Sequence, residues 1–463
     1  MSTDTSPTKK FILDTEKWFD QLSQSLLSQL RSDEELALSL NAEQPTYLRF
    51  NQSKLRQNTV ITNIVVDFSL TQSKKRSQAS IVFTGNIKHD LDFGKQHLLR
   101  LRDECESLPE DPLVTAVPNG INSDQKTFGQ MPQVSQVLSL VTELVGKEDF
   151  AGLFAMGPHL KAYVNSKKLR HWFSTESYFL DYSIYAVNLD GKNKAVKGSF
   201  SGTDWDPKGL QENLEFSKSI LPALKNKNIT LKPGKYKAYL APAAVAEVMG
   251  VFSWGGTLSL SSFKKGLSAF SKLIKNEEKL SPLFTLKENF SSGSVPAFNS
   301  FGEVAAPTMS VIQNGKIENL LISARSEKEY GDKSNGAEVG GWGGEFLRSP
   351  EIEGGTLPQS ETLKQLGTGI FISNLHYINW SDITNARITG MTRYACLWVE
   401  DGKIIAPIED MRFDMSLYNL LGDRLINLTE QQVLDPNTDT YFFRSIGGRL
   451  IPGALVKDFE FSL

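Results

Sequence analysis

The residues best suited to metal or acid–base chemistry are scattered along this sequence. Its five histidines stand at least eight positions apart, at His89, His97, His159, His171 and His376. A helical zinc motif needs two imidazoles about one turn apart on one face of a helix. No histidine pair has that spacing. The pattern predicts His89 at a strand end and His97 in the following helix, and single histidines are mostly surface residues rather than ligands.

The chain has two cysteines, Cys105 and Cys396. Two thiols are too few for a disulfide framework or an all-cysteine zinc site, and this count is typical of a reducing compartment. Cys396 lies in an apolar run, where a free cysteine behaves as a small hydrophobic residue. A thiol–imidazole pair with His376 is the alternative, but its neighbours Tyr377 and Trp380 favour a half-buried structural role for that histidine.

Short catalytic motifs are incomplete. The stretch Gly198-Ser199-Phe200-Ser201-Gly202 has a phenylalanine at its centre, where the nucleophile elbow of a serine hydrolase needs a serine. Gly367-Thr368-Gly369 lacks the third glycine of a dinucleotide loop and precedes a strand-like run, so it is predicted to end a helix over residues 359–366. Acids at 400, 401, 409 and 410 are interpreted as solvated surface. These patterns contain no self-sufficient catalytic site.

Length and composition indicate a soluble protein with more than one domain. The 463 residues exceed what one hydrophobic core normally supports, and 40% hydrophobic with 22% charged residues is ordinary for globular chains. A net charge of −3 provides no basic field for nucleic acid or an anionic membrane. The first ten residues lack a secretory pattern, and the apolar stretch 238–263 contains Pro242 and Glu247. We therefore expect a cytoplasmic location without membrane or direct nucleic-acid partners.

Periodicity predicts an α+β fold, with a mixed α/β N-terminal domain followed by a β-rich C-terminal domain with antiparallel hairpins. Apolar residues from Trp18 to Leu30 repeat as on an amphipathic helix, and residues 60–70 alternate as in a half-buried strand. Helices are predicted at 93–108, from 134, from Pro207 and over 242–254, and a second strand at 80–87. The dipeptides Asp190-Gly191, Asn314-Gly315 and Asp401-Gly402 predict hairpins.

The boundary between the domains is predicted near Lys232, which gives domains of 1–232 and 233–463. The stretch 224–237 is rich in Lys, Asn and Pro and lacks periodicity, which is typical of a linker. Residues 331–355 hold many glycines, too many for a regular element, and are predicted to form a mobile surface loop.

Four segments carry more specific patterns. They are 49–57 near the N-terminus, 307–315 with Val311-Ile312-Gln313-Asn314-Gly315, 367–375 with Gly367-Thr368-Gly369 and Asn374, and, after Gly390, residues 396–409. In this order and spacing they resemble the signature of the TldD/PmbA family. The resemblance spans most of the chain and makes Asn314, Gly315, Gly367, Thr368, Gly369 and Asn374 candidate cavity or motif positions.

The resemblance implies a subunit of a metallopeptidase system. TldD-type members carry a helical His-Glu-x-x-x-His zinc motif, whereas TldE/PmbA-type members lack it and pair with them. The corresponding helix here, residues 242–256, contains no histidine. The resemblance therefore implies a PmbA/TldE-like partner with no zinc ligand or other cofactor of its own, zinc being expected only in a TldD-type subunit.

The resemblance further implies a dimer around an internal cavity and an extended or unfolded peptide as substrate, which a sheet edge can bind by strand addition. We expect a role in proteolysis or peptide maturation, with residues 331–355 as a candidate gate. The family's gyrase-modulator names describe an association and imply no DNA contact.

Two alternatives stay open. One is a homodimeric peptide-binding protein without a hydrolytic role. The other is a metal-independent hydrolase that uses dispersed acids such as Glu247 and Glu409.

Overall fold

The chain folds into two large β-sheets with helices packed against them. The computed structural model describes residues 7–254, 256–340 and 344–462. The first sheet and its helices comprise α1 (Pro7–Leu27), β1 (Glu34–Glu43), β2 (Thr46–Asn51), β3 (Lys54–Val60), β4 (Asn63–Gln72), β5 (Lys75–Val82), α2 (Ile87–Ser107), β6 (Ser123–Thr127), α3 (Val134–Val145), β7 (Asp149–Asn165), β8 (Arg170–Val187), β9 (Asn193–Gly202) and α4 (Pro207–Leu224).

The second sheet contains the remaining strands, apart from a small separate pair, β14–β15. Its part of the chain comprises β10 (Gly234–Leu240), α5 (Pro242–Trp254), α6 (Leu260–Lys264), α7 (Ser271–Ile274), β11 (Leu286–Asn289), β12 (Thr308–Gln313), β13 (Lys316–Ile317), α8 (Ala324–Tyr330), β14 (Glu338–Val339), β15 (Glu345–Phe346), β16 (Pro350–Ile352), α9 (Thr362–Leu366), β17 (Gly369–Ile372), β18 (Asn374–Asp382), β19 (Arg387–Arg393), β20 (Leu397–Glu400), β21 (Lys403–Pro407), β22 (Arg412–Ser416), β23 (Leu425–Pro436) and β24 (Gly448–Phe461).

The first sheet runs in the order β3-β2-β7-β1-β4-β5, and β8 joins it beside β7 and also pairs with β6 and β9. Apolar side chains on one face of β1 and β4 pack against α1 and α2, and this burial forms one of the main hydrophobic cores. In the second sheet, β24 is central: it pairs with β10, β16, β22 and β23. The largest core surrounds α5 on this sheet.

The predicted α+β class is confirmed, and so are its main elements. Helix α1 buries Trp18 and its apolar stripe, and α4 begins where Asp206 accepts a hydrogen bond from the Gly209 N–H at 2.9 Å. The three predicted hairpins form as β8–β9, β12–β13 and β20–β21. Helix α4 ends at Leu224 and β10 begins at Gly234, while the division into two domains at Lys232 stays a prediction.

Three local predictions are wrong. His89 lies in α2 with His97, because Asn86 caps the helix by accepting from the Lys88 N–H and so starts it before residue 93. Val60 ends β3 and is exposed, since the alternating strand begins at Asn63. The strand predicted at 80–87 forms as β5 and ends at Val82.

The glycine-rich segment 331–355 also differs from its prediction. Its described residues form β14, β15 and β16, whereas 341–343 lie outside the described residues, as do 1–6, 255 and 463. The buried Glu345 carboxylate accepts hydrogen bonds from the hydroxyls of Ser259, Ser261, Ser323 and Ser326. The Arg348 guanidinium donates to the carbonyls of residues 296, 297, 298 and 336. Because these bonds hold the segment against the rest of the protein, it differs from the mobile surface loop that was predicted.

Within the described residues, each helix is too short or too polar to cross a lipid bilayer.

A buried ion pair on α2 gives a test of this packing. Arg102 donates twice to Glu34, at 2.6 and 2.8 Å, and both side chains are almost inaccessible to solvent. We expect Arg102→Met to lower the free energy of unfolding by about 3 kcal/mol, because it leaves the buried Glu34 carboxylate with only Arg31, through its N–H at 2.9 Å and its guanidinium at 3.9 Å. Denaturant titration followed by tryptophan fluorescence measures the loss.

The control is Arg100→Met on the same helix, where the pair with Glu104 is exposed. That change should cost less than about 1 kcal/mol. Equal losses in the two variants would contradict the structural role assigned to the Arg102–Glu34 pair.

Candidate functional site

Helix α5 is a buried helix with one charged side chain. It follows β10 directly, and Pro242 occupies its first turn, where a missing N–H costs nothing. Apolar residues occupy almost all its faces, which is typical of a core helix. Glu247 is the exception: its side chain is accessible to solvent. The helix therefore presents a single carboxylate at the edge of the core.

Charged residues from both sheets surround Glu247. Arg449 on β24 donates to the Ala246 carbonyl at 3.2 Å and lies 3.5 Å from a carboxylate oxygen of Asp435 on β23. From the first sheet, Lys197 on β9 pairs with Asp181 on β8. Three carboxylates and two cations thus meet where the two sheets approach each other.

The surroundings raise the pKa of two carboxyls of this cluster, Asp435 and Glu247. Burial raises the pKa of Asp435 to about 6, the negative charges of Glu247 and Asp181 support the increase, and Arg449 opposes it. Burial also raises the pKa of Glu247, against Arg449 and Lys197. Although solvent reaches Glu247, enough protein surrounds its carboxylate to make ionisation costly. The cluster can hold and release a proton near neutral pH.

A cavity of about 330 Å³ opens on the face of β23 opposite to the Asp435 side chain. Leu434 and Pro436, which flank Asp435 on β23, line it together with Tyr178 and Ser177 of β8. Its walls come from both sheets and are more apolar than polar, as is usual for sites that bind organic ligands.

The family-motif positions predicted from the sequence lie in turns away from this cluster. Asn314 and Gly315 form the β12–β13 turn; their N–H groups donate to Thr285 at 3.1 Å and to the Phe284 carbonyl at 2.8 Å. Gly315 has φ 77°, and a Cβ there would collide with the Leu280 carbonyl, so only glycine fits this turn.

The second group of motif positions surrounds the end of α9. Gly367 is its C-cap residue, with φ 66°, as predicted. Thr368 accepts a hydrogen bond from the Asp401 N–H at 3.3 Å, which joins this turn to the β20–β21 hairpin. Gly369 begins β17 so close to the Lys237 carbonyl that a side chain would clash.

The backbone of Asn374 and the side chains of the other candidates have structural partners. The Asn374 carbonyl accepts from the Cys396 thiol at 3.6 Å, and burial raises the pKa of that thiol. The His376 ring contacts the Tyr377 ring, with centroids 4.1 Å apart and the planes tilted by 52°. Glu409 pairs with Lys192 at 2.9 Å, and this hydrogen bond lowers the pKa of Glu409. A lowered pKa does not suit a general acid.

Of the sequence candidates, only Glu247 therefore belongs to the charged cluster. Sequence reasoning missed Asp181, Lys197, Asp435 and Arg449, because they come from two strand pairs, β8–β9 and β23–β24, that are far apart along the chain. Single charges on half-buried strands are too common to mark a site before the topology is known.

Comparison with known proteins agrees with this architecture. Residues 233–463 match the family model described as the PmbA/TldA metallopeptidase C-terminal domain. The chain belongs to the PmbA/TldD family. A sequence comparison with curated proteins finds no match.

Among solved structures, TldE from Thermococcus kodakarensis is similar at 13% identity and a TM-score of 0.74, over 98% of this chain and 99% of TldE. A proposed modulator of a DNA gyrase from Thermotoga maritima is similar at 16% identity and a TM-score of 0.74, over 96% of this chain and 100% of that one. A proposed gyrase modulator from Bacteroides thetaiotaomicron has 15% identity and a TM-score of 0.74, over 96% and 98%. These likenesses show a shared fold.

The zinc motif expected of TldD-type members does not fit α5. With its glutamate placed at Glu247, the two histidine positions of His-Glu-x-x-x-His fall on Ala246 and Val251. Both are buried apolar residues without a donor atom for zinc. In the described parts of the chain, no group of three or more His, Cys, Asp or Glu side chains has a metal-binding arrangement.

The raised pKa of Asp435 predicts a pH effect. Because the pKa of Asp435 is about 6 in the folded protein and its ordinary value is 3.8, the folded protein retains between these two pH values a proton that the unfolded chain releases. The protonated Asp435 therefore stabilises the folded state. This contribution is fully present below the pKa of the unfolded chain and is lost as the pH rises through the pKa of the folded protein. We expect Asp435→Asn to become more stable relative to wild type, by up to about 3 kcal/mol, as the pH rises from 4 to 7.

Thermal unfolding at several pH values measures this difference. The control is Asp14→Asn, which removes an exposed carboxylate of α1. If the difference between Asp435→Asn and wild type does not change with pH, the buried cluster does not hold the proton.

Proposed function

We propose that this chain is the non-catalytic PmbA/TldE-type partner in a TldD/TldE-type metallopeptidase system that acts on extended peptides. The observation that carries the proposal is α5, which has the apolar residues Ala246 and Val251 where a TldD-type subunit carries histidines. The full-length similarity to TldE supports the same assignment. The chemistry would reside in the zinc-bearing partner, and this chain would supply surfaces for peptide and partner.

Strand β23 is the surface best suited to an extended peptide. Within the described residues it pairs with β24 on one side, and on the other side residues 428–430 exchange backbone hydrogen bonds with residues 355–357, so the open part of this edge is the part of β23 after Glu430. Val433 and Leu434 are exposed on this strand, and Leu434 also lines the 330 Å³ cavity. An open strand edge beside an apolar cavity can bind a peptide through its backbone and one side chain.

The loop after β23 is the surface best suited to a protein partner. Tyr441 and Phe442 are 87% and 84% exposed, and their ring centroids lie 6.0 Å apart. Large exposed aromatic side chains are typical of interface cores. Their position next to β23 would place a partner beside the proposed peptide edge.

Peptidase assays and zinc analysis test the proposal. The purified chain is measured alone and after mixing with a TldD-type protein from the same cell, using an unfolded peptide as substrate. We expect zinc and peptide cleavage in the mixture and neither in this chain alone. Metal-dependent cleavage by the isolated chain would contradict the proposal, and a mixture that never associates would favour the homodimeric peptide-binding alternative.

Replacement of Glu247 separates the partner role from a metal-independent hydrolase. A general acid or base contributes about 10²–10⁴-fold to turnover. We expect Glu247→Gln to leave turnover of the active mixture unchanged, because the proposed partner performs the chemistry. The control is Glu143→Gln, which changes an exposed carboxylate on α3. A loss confined to Glu247→Gln would assign the chemistry to this chain.

A further inference from the structure

The first sheet has a polar face on the side away from α1 and α2. Along β1, the apolar Leu38, Leu40 and Ala42 alternate with Ser39, Asn41 and Glu43. On the paired strand β7, Lys161 lies opposite Asn41 and His159 opposite Glu43. Directly opposed residues of antiparallel strands project to the same face. The polar side chains of both strands therefore share one surface.

This polar face forms one wall of a second cavity, of about 420 Å³. The other walls come from the second half of the chain, through residues 295–300, 346–348 and 437–446 together with Glu338. The volume falls within the range of about 300–1,000 Å³ that is usual for small-molecule sites.

Several polar atoms of the residues that line this cavity have no partner. His159 is 2% exposed, and neither of its ring nitrogens makes a hydrogen bond. The same is true of the Nε atoms of Arg348 and Arg444 and of the Asn41 side-chain oxygen. The half-buried Lys161 makes no hydrogen bond with any residue that the structure describes, and the carboxylates of Glu338 and Asp67 act on its charge only through space. Because buried polar groups are nearly always paired in folded proteins, this concentration points to an absent ligand.

The unpaired atoms are mostly donors, whereas the nearby carboxylates already have partners. Glu338 accepts from the N–H and hydroxyl of Ser300, at 2.8 and 2.6 Å. Glu43 accepts from the Asn63 amide and from the Arg444 N–H, each at 2.8 Å. Asp67 accepts from the Ser80 hydroxyl. What the cavity lacks is an acceptor within hydrogen-bond distance of the Lys161 ammonium and of the His159 imidazole, whose Nδ1 lies 3.8 Å from a Glu43 carboxylate oxygen.

We propose that this cavity binds a small-molecule oxyanion, a carboxylate or a phosphate, whose oxygens accept hydrogen bonds from Lys161 and His159. The lining cations Lys161, Arg348 and Arg444 outnumber the lining carboxylates of Asp67 and Glu338, so a negatively charged group would offset the remaining positive charge. The site lies on the first sheet and does not depend on the proposed partner role.

Ligand-dependent thermal unfolding of the full chain tests the site. The probes are sodium succinate and inorganic phosphate, each compared with sodium chloride at equal ionic strength. For wild type we expect a saturable rise of Tm with at least one of the two oxyanions. A rise with succinate alone identifies a carboxylate site, and a rise with phosphate alone identifies a phosphate site.

Two lysine variants make the test specific. We expect Lys161→Met to unfold in chloride at the same temperature as wild type or higher, because it removes an unpaired cation. Its Kd for the active oxyanion should be raised at least about tenfold, the effect of losing a charge-assisted hydrogen bond. Lys54→Gln, on an exposed position of the same sheet, should bind as wild type does.

Two results would overturn the proposal. One is the absence of a saturable response to either oxyanion in wild type. The other is an equal response in wild type and in Lys161→Met, which would place binding elsewhere on the chain.

Discussion

A buried guanidinium ties the two sheets together where both proposed cavities meet. Arg444, from the loop between β23 and β24, is 1% exposed and reaches into the first sheet. It donates to the Gly157 carbonyl at 2.8 Å and to the Ser177 hydroxyl at 2.9 Å, while its own N–H donates to Glu43 at 2.8 Å. Burial lowers the pKa of Arg444 to about 10, which still leaves the group charged at neutral pH. A buried charge with these partners fixes the loop against β7 and β8.

The proposed functional features lie around this junction. Arg444 lines both the apolar cavity beside β23 and the polar cavity beside Lys161. The exposed Tyr441 and Phe442 belong to the same loop, and the open edge of β23 leads into it. Helix α5, by contrast, is part of the hydrophobic core. Its apolar faces pack against the second sheet, and only Glu247 reaches the junction. This division matches a subunit that contributes surfaces rather than a metal centre.

The sequence predicted local elements well and the junction poorly. Amphipathic spacing placed α1, and the pairs Asn314-Gly315 and Asp401-Gly402 placed hairpins, because a few neighbouring residues determine these structures. The start of α2 was missed, since its cap at Asn86 precedes the apolar repeat. Segment 331–355 was expected to be mobile because of its glycines, but Glu345 and Arg348 bind distant hydroxyls and carbonyls. Likewise, Glu43, His159 and Arg444 meet only after both sheets have formed.

The central claim is that this PmbA/TldD-family chain is a partner subunit. Native mass spectrometry of the purified chain, alone and mixed with the TldD-type protein of the same cell, tests it most directly. The account predicts a complex that contains both chains, with zinc bound in that complex and absent from the isolated chain. A mixture that contains only separate homomers, or zinc bound stoichiometrically to this chain alone, would contradict it.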